Sequence, residues 1–225
     1  MVSNVKLIIL DYDLTIMDNI YDFYLSVAES FYVRTGLYMG FTQFYDLLVN
    51  DNLYSFVNNI VGFNGSFWRD MRRSICKSHS LKPANGLIEF LVFVKKLGLK
   101  TVVVTGRECH SIQVKLDLEK TGLIDYIDEV FTMLDLIING GKEDFLFDKS
   151  WLIEFVCRKF GVEPREAIYI GDYRLDYESS LKAGCEFIGL TWIPERMKLL
   201  LNNGVSRLAV DFREALIHVI DMMRV

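Results

Sequence analysis

The chain has 225 residues, of which 51% are hydrophobic, and its formal net charge is −5. This composition supplies ample material for a buried core and excludes a disordered chain. The mild negative charge and the lack of a lysine or arginine run argue against a nucleic-acid partner. No apolar run approaches the roughly 20 residues needed to span a bilayer, so no membrane association is expected.

Residues 1–4 carry neither the basic region nor the apolar core of a signal peptide. Cys76, Cys109, Cys157 and Cys185 are scattered without paired metal-ligand spacing, which favours free, buried thiols in a reducing compartment. We therefore expect a cytoplasmic protein whose cysteines are not bridged. The sequence leaves the oligomeric state open.

The first predicted strand is the apolar run at residues 7–10, which ends abruptly in Asp11-Tyr12-Asp13-Leu14-Thr15. Such a run is typical of a strand buried on both faces, and open α/β sheets bind ligands at the carboxyl ends of these strands. If the backbone stays extended through Asp13, the carboxylates of Asp11 and Asp13 point to the same side. Two carboxylates in one crevice repel each other unless a cation or a proton lies between them, and Mg²⁺ is the usual cation.

A helical pattern without proline follows, from Asp18 to about His79. Apolar residues at three- and four-residue spacing predict three or four helices there, with no strand among them. A helical block between a first strand and the rest of a sheet is typical of an inserted domain that covers the crevice. We assign residues 17–82 to a helical cap domain, and residues 1–16 and 83–225 to the core domain.

Strands and helices alternate after Pro83. The predicted strands cover residues 101–105, 127–132, 167–170, 186–191 and 206–210, with helices between them. Residues 134–138 are expected to extend the strand at 127–132 or to pair with it. The alternation predicts an α/β fold with a Rossmann-like parallel sheet, covered by helices on both faces, that carries the inserted α-helical cap domain.

Polar side chains stand at the ends of three predicted strands. Asp11 and Asp13 follow the first, Thr105 ends the second, and Asp172 and Asp176 follow the strand at residues 167–170. Because the carboxyl ends of parallel strands lie at one edge of a sheet, we expect these side chains to converge on a site for a metal and an anion.

These motifs resemble those of the haloacid dehalogenase superfamily over nearly the whole chain. The helical insert is similar to the cap of members such as the phosphoglycolate phosphatases. The resemblance implies that Asp11 is a nucleophile, Asp13 a general acid and base, and Thr105 a hydroxyl that holds the phosphoryl group. It also implies that Mg²⁺ is bound by Asp172, one oxygen of Asp11 and the backbone carbonyl of Asp13, while Asp176 holds metal-bound water.

The family also places a lysine ahead of the strand that carries the last acidic motif. Lys149 is the favoured candidate, because one helix and a loop separate it from that strand and because a cation at a helix start opposes the helix dipole. Lys142 is the alternative. Gly106 and the backbone near it are expected to help bind phosphate. Arg107 is expected either to touch the substrate or to be exposed.

A phosphate monoester repels a carboxylate nucleophile, so Mg²⁺, Lys149 and Thr105 would have to offset the charge of the phosphoryl oxygens. The sequence thus predicts a magnesium-dependent phosphatase that hydrolyses a small phosphorylated metabolite through an aspartyl phosphate on Asp11. A sugar-phosphate mutase of the same fold keeps the same acids and stays open. A regulatory protein that accepts a phosphoryl group without turnover is the alternative from a different class.

Overall fold

The computed structural model describes residues 5–63, 65–77 and 81–224. At its centre lies a parallel sheet whose strands are β1 (Leu7–Leu10), β2 (Lys100–Thr105), β3 (Glu129–Thr132), β4 (Ala167–Gly171), β5 (Glu186–Leu190) and β6 (Leu208–Ala209). Their spatial order is β3-β2-β1-β4-β5-β6, and every pairing is parallel. The chain order reverses direction between β1 and β4, so their carboxyl ends flank the crevice where such sheets bind ligands. The Rossmann-like expectation is confirmed.

The helices of the described residues are α1 (Ile20–Thr35), α2 (Phe41–Val49), α3 (Leu53–Val61), α4 (Ser66–Ser74), α5 (Leu87–Lys96), α6 (Ser111–Lys120), α7 (Met133–Ile138), α8 (Ser150–Phe160), α9 (Arg174–Ala183), α10 (Pro194–Asn202) and α11 (Phe212–Met223). Helices α5, α6 and α11 pack on one face of the sheet, and α7 to α10 pack on the other. Ile8 and Leu10 contribute to the first core, whereas Leu7 and Ile9 contribute to the second, as the alternation of a strand requires. None of these helices is long and apolar enough to cross a membrane.

Helices α1 to α4 all lie between β1 and α5 and bury a third apolar cluster of their own. Val27, Phe44, Val57 and Phe67 contribute one side chain from each helix, and Leu14 from the loop after β1 joins them. The division of the chain into a cap domain and a core domain stays a prediction. The predicted end of the helical stretch, near His79, lies outside the described residues.

The segment after β3 is helical, so the expectation that residues 134–138 extend or join a strand is wrong. Thr132 and Asp135 form a reciprocal capping box at the start of α7. The backbone N–H of Thr132 donates to Asp135 Oδ2 at 2.7 Å, and the backbone N–H of Asp135 donates to Thr132 Oγ1 at 3.4 Å. These bonds satisfy amide groups that would otherwise be left open at the helix start, which favours a helix here.

The four cysteines are not all free, which corrects a second expectation. Cys76, just beyond α4, and Cys109, in the loop after β2, form a disulfide across 33 residues of sequence. The same two segments are joined by a backbone hydrogen bond from Glu108 N to Arg72 O of 3.1 Å. Cys157 and Cys185 are free and buried, as predicted. The disulfide therefore ties the helical segment to a loop of the sheet.

Candidate active site

Three of the predicted acids meet at the carboxyl edge of the sheet. Strands β1 and β4 are neighbours with Leu10 opposite Ile170, so Asp11, one residue after Leu10, and Asp172, two residues after Ile170, leave the sheet at the same edge. Asp176 reaches the same point from the first turn of α9. Carboxylate oxygens of the three residues lie within 4.8 Å of one another, and all three side chains are buried.

Lys149 lies against this cluster. Its Nζ is 2.5 Å from Asp11 Oδ1 and 2.8 Å from Asp176 Oδ1, and its side chain is buried. Lys142, the competing candidate, is exposed and has no place in the cluster. Of the two lysines, the structure therefore brings only Lys149 to the acids.

Asp148 fixes the backbone from which Lys149 projects. Its Oδ1 accepts a hydrogen bond of 2.8 Å from Ser150 N at the start of α8, and its Oδ2 accepts one of 2.7 Å from Lys182 Nζ. The backbone N–H of Lys149 donates to Ser179 Oγ at 3.0 Å. The loop before α8 is thereby anchored to α9, so the backbone that carries Lys149 is fixed.

Burial and mutual charge shift the ionisation of this cluster. Burial raises the pKa of Asp11 well above its usual value; Asp176 and Asp172 add to the rise, and Lys149 opposes it. Burial, augmented by Asp176 and opposed by Arg196 and Lys149, raises the pKa of Asp172 to about 6. Burial alone would lower the pKa of Lys149, but Asp11 and Asp176 outweigh it and raise that pKa, so the lysine stays charged.

The donor set fits a hard divalent cation. Asp172 Oδ2 lies 2.7 Å from Arg196 Nη1, but the angles are not those of a hydrogen bond, and both atoms are buried without a hydrogen-bond partner. The hydroxyl of Thr15 lies 3.3 Å from both Asp11 Oδ2 and Asp172 Oδ1. Clustered carboxylate oxygens, one of them without a hydrogen bond, are the ligands that Mg²⁺ takes in proteins.

Asp13 lies apart from the three clustered acids. Arg107 Nη2 is 2.7 Å from Asp13 Oδ1, and Asn19 Nδ2 donates to the same oxygen at 2.6 Å. The backbone turns directly after Asp13, where Leu14 has a φ of 60°. The carboxylates of Asp11 and Asp13 therefore have different cationic partners, because Asp11 pairs with Lys149 and Asp13 with Arg107. Arg107 itself is only 1% exposed, so of the two alternatives for this residue exposure to solvent is wrong, and contact with the substrate stays a prediction.

Thr105 and Gly106 occupy different positions relative to the cavity. Thr105 is fully buried at the end of β2, and its Oγ1 accepts a hydrogen bond of 3.2 Å from Arg107 N. Gly106 lines the cavity above the acids. A Cβ at this position would lie 3.2 Å from Phe147 Cδ1, so a side chain at residue 106 would crowd Phe147.

A cavity of about 440 Å³ covers the cluster. Asp11, Asp13, Gly106, Lys149 and Asp172 form its floor, and side chains of the four helices α1 to α4 contribute the opposite wall.

Polar contacts join the two sides of the cavity. Asp51, in the loop between α2 and α3, accepts hydrogen bonds from the Tyr173 hydroxyl and, at 3.0 Å, from Arg174 Nε, both of which follow β4. The sequence-predicted site residues that line this cavity are Asp11, Asp13, Gly106, Arg107, Lys149, Asp172 and Asp176, whereas Thr105 is not among its lining residues.

Arg196 is a site residue that sequence reasoning missed. It lies in the first turn of α10, directly after β5, and its guanidinium carbon stands 4.7 Å above the Tyr173 ring. The available signal was the one used for Lys149: a cation at a helix start, where the dipole disfavours it, next to the carboxyl end of a strand. Tyr169, whose hydroxyl lies 3.3 Å from Asp176 Oδ1, was missed because it reads as an ordinary core residue of β4.

A family model for haloacid dehalogenase-like hydrolases matches residues 8–190. The chain therefore belongs to this family of hydrolases. It is also similar to a phosphoglycolate phosphatase of Haemophilus influenzae, with 27% identity over 119 residues that make up 53% of this chain and 48% of that protein. The chain thus matches about half the length of this relative.

Solved structures share the whole fold. A predicted phosphatase from Clostridium acetobutylicum superposes with a TM-score of 0.74 at 19% identity, covering 96% of this chain and 99% of that one. A predicted phosphoglycolate phosphatase from Haemophilus somnus superposes with a TM-score of 0.67 at 18% identity. The superposition covers 96% of this chain and 98% of that one. At these identities the likeness establishes a common architecture.

Proposed function

We propose that this protein is a magnesium-dependent phosphatase that hydrolyses a small phosphate monoester through an aspartyl phosphate. The observation that carries the proposal is the meeting of Asp11, Lys149, Asp172 and Asp176 at one edge of the sheet, where they line a single cavity. Asp13 opens onto the same cavity. Membership of the hydrolase family and the likeness to phosphoglycolate phosphatases support it.

In this proposal Asp11 attacks phosphorus in line and forms the covalent intermediate. Asp13, protonated when the ester is bound, gives its proton to the leaving oxygen. It then takes a proton from the water that hydrolyses the intermediate. Arg107 and Asn19 hold Asp13 in one orientation for both transfers.

The remaining residues would bind and orient the phosphoryl group. Asp11, Asp172 and the backbone carbonyl of Asp13 would hold Mg²⁺, which supplies positive charge for the phosphoryl oxygens. Asp176 would hold a water molecule that is bound to the Mg²⁺ ion. Lys149 would share its charge between Asp11 and a phosphoryl oxygen, and the backbone at Gly106 would donate to another. Thr105 would support this loop through its contact with Arg107 N.

The sugar-phosphate mutase is disfavoured by the cavity wall. A mutase has to bind a sugar, whose hydroxyl groups require hydrogen-bond partners when they are buried. The wall formed by helices α1 to α4 carries mainly apolar side chains such as Phe23, Leu48, Trp68 and Met71, and only Tyr54, Ser55 and Arg72 among its described lining residues are polar. A phosphoryl-accepting regulatory protein would share the floor of the site but lack turnover, so kinetics separate it from an enzyme.

Phosphate release from p-nitrophenyl phosphate with Mg²⁺ tests the proposal. We expect multiple turnovers by the wild type and a loss of more than about 10³-fold in Asp11→Asn. Asp18→Asn is the matched control, because Asp18 is ion-paired with Lys82 outside the cavity, and it should retain the wild-type rate. Equal rates in Asp11→Asn and the wild type would contradict the proposal. A stable phosphoprotein without turnover would favour the regulatory alternative.

A further inference from the structure

The cavity has two chemically different halves. Its floor, at the strand ends, carries the ionisable groups described above. Its roof consists of side chains from the first four helices and from the loop before α8 and is mainly apolar, with Tyr54, Ser55 and Arg72 as its polar members and, among the apolar ones, Phe23, Leu48, Leu53, Trp68, Met71 and Phe147. The phosphoryl group belongs at the floor, so the rest of a bound ester must lie against the roof.

The roof side chains are held in fixed orientations. Trp68 is 3% exposed, and its Nε1 donates a hydrogen bond of 3.1 Å to Asn58 Oδ1. Its ring packs edge to face against Phe147, with centroids 6.0 Å apart, and Met71 is 1% exposed. A ligand therefore meets a preformed apolar surface and does not have to order it on binding.

The cations around the cavity are already matched by carboxylates. In the part of the chain that the structure describes, the lining cations are Arg72, Arg107, Lys149, Arg174 and Arg196, and each forms an ion pair. Arg107 also lies 3.6 Å from Asp117 Oδ2, so it keeps a counter-charge when Asp13 is protonated.

Arg72, which stands on the roof side, lies 2.6 Å from Glu143 and 3.5 Å from Glu108. These two carboxylates match its charge, so Arg72 offers a ligand no surplus charge. A second anionic group on the substrate would be buried without a counter-charge, which is costly.

From these observations we infer that the substrate is a phosphate monoester with a neutral, apolar leaving group larger than a two-carbon acid. The inference rests on the proposed phosphatase function and specifies its substrate class. The cavity of about 440 Å³ falls in the range of roughly 300–1,000 Å³ that holds drug-sized ligands. Hydrolysis cleaves one P–O bond and yields a neutral alcohol or phenol and inorganic phosphate.

A matched pair of esters tests the charge preference. 2-Phosphoglycolate and isobutyl phosphate have leaving groups of the same heavy-atom count and shape, but only the first carries a carboxylate. With the full chain and Mg²⁺, kcat/KM for isobutyl phosphate should exceed that for 2-phosphoglycolate by at least about 100-fold. A higher kcat/KM for 2-phosphoglycolate, or equal values, would overturn the inference while leaving the phosphatase function intact.

Chain length tests the apolar roof. Along ethyl, butyl and hexyl phosphate, kcat/KM should rise about four-fold for each added methylene, as expected for burial of apolar surface. Met71→Gln should flatten this series, because it places an amide in the roof with almost the same shape. Met71→Leu, which keeps the apolar character, should preserve the slope. A flat series in the wild type would overturn the inference.

Binding of phosphonates keeps the test independent of turnover. Hexylphosphonate should bind the wild type more tightly than ethylphosphonate by the same factor per methylene, and more tightly than phosphonoacetate, in calorimetric titrations with Mg²⁺. If phosphonates bind in this order but no ester is hydrolysed, the phosphatase proposal fails and the apolar specificity stands. If phosphonoacetate binds at least as tightly as hexylphosphonate, the specificity inference fails whatever the activity.

Discussion

Arg107 holds Asp13 with two nitrogen atoms: Nη2 lies 2.7 Å from Oδ1, and Nε lies 3.1 Å from Oδ2. The guanidinium group also stands 4.4 Å above the Tyr12 ring, which restricts it from the other side. An arginine fork of this kind fixes the plane of a carboxylate as well as its distance. In the proposed reaction, Arg107 is therefore the residue that positions the general acid.

Arg107→Lys should disturb the proton transfer more than substrate binding. Lysine keeps the charge but offers a single ammonium group, so Asp13 loses its fixed plane. We expect kcat for phenyl phosphate to fall roughly 100-fold. The value for p-nitrophenyl phosphate should change much less, because that leaving group departs without a proton. Steady-state kcat and KM for both esters measure the difference, and an equal loss for the two would contradict the positioning role.

Asp13→Asn serves as the reference for that experiment. It should show the same dependence on the leaving group, with a larger loss for phenyl phosphate, because it removes the acid itself. Combining Asp13→Asn with Arg107→Lys should add little to the loss, since both changes act on one group. Strictly additive losses would show that Arg107 acts on something other than Asp13.

Removal of Arg196 should strengthen Mg²⁺ binding. Its guanidinium lies 2.7 Å from Asp172 Oδ2, so it offsets charge that a divalent cation would otherwise neutralise. We expect Arg196→Met to bind Mg²⁺ about ten-fold more tightly, which corresponds to about 1.4 kcal/mol. Melting temperatures across a Mg²⁺ titration measure this, with Arg196→Lys as the control that keeps the charge. Weaker Mg²⁺ binding in Arg196→Met would contradict the idea that Arg196 and Mg²⁺ compete for Asp172.

Asp148→Asn should give a stability loss that depends on pH. Burial would raise the pKa of Asp148, but hydrogen bonds from Lys182 and Ser150 outweigh burial and leave that pKa below its usual value. A carboxyl group whose pKa is lowered by folding stabilises the fold at pH values above its pKa in the unfolded chain, near 3.8. This stabilisation is lost as the pH falls through the pKa of the group in the folded protein. Urea unfolding should show a deficit of about 1–2 kcal/mol in Asp148→Asn at both pH 7 and pH 5. The deficit should shrink below pH of about 4; a constant deficit down to pH 3 would refute this account.

The disulfide between Cys76 and Cys109 should stabilise the fold measurably. It closes a loop of 33 residues, and cross-links of this span typically contribute about 2–4 kcal/mol. Reductant should lower the urea midpoint of the wild type but leave that of Cys76→Ser unchanged, whereas Cys157→Ser should still respond to reductant. Alkylation of the denatured, unreduced wild type at all four cysteines would contradict the cross-link.

Much of the fold could be predicted because parallel strands leave continuous apolar runs in the sequence. Leu7–Leu10 and Ala167–Gly171 are both fully buried strands, and the acids that end them meet because their carboxyl ends share one edge. The helix at Met133–Ile138 was missed because six residues are too few for periodicity to separate helix from strand. The available signal was local: Thr132 and Asp135 have the spacing of a capping box.

The missed parts of the site depend on tertiary contacts. Cys76 and Cys109 meet because the residues after α4 pack on the loop after β2, and no spacing rule encodes that contact. The position of Arg107 was open for the same reason, since only the fold brings Asp13 and Tyr12 around its guanidinium. The mainly apolar roof over the acids likewise depends on how four helices pack on the rest of the chain. This packing cannot be inferred from the sequence of any one helix.

The most direct test of the proposed chemistry is to find the phosphoryl group on the chain during turnover. The wild type is mixed with Mg²⁺ and phenyl phosphate, quenched in acid within milliseconds, digested and analysed by mass spectrometry. We predict one phosphoryl group on the peptide that contains Asp11, present only while substrate remains and absent in Asp11→Asn. Turnover with no phosphorylated peptide, or with the group on another residue, would contradict the account.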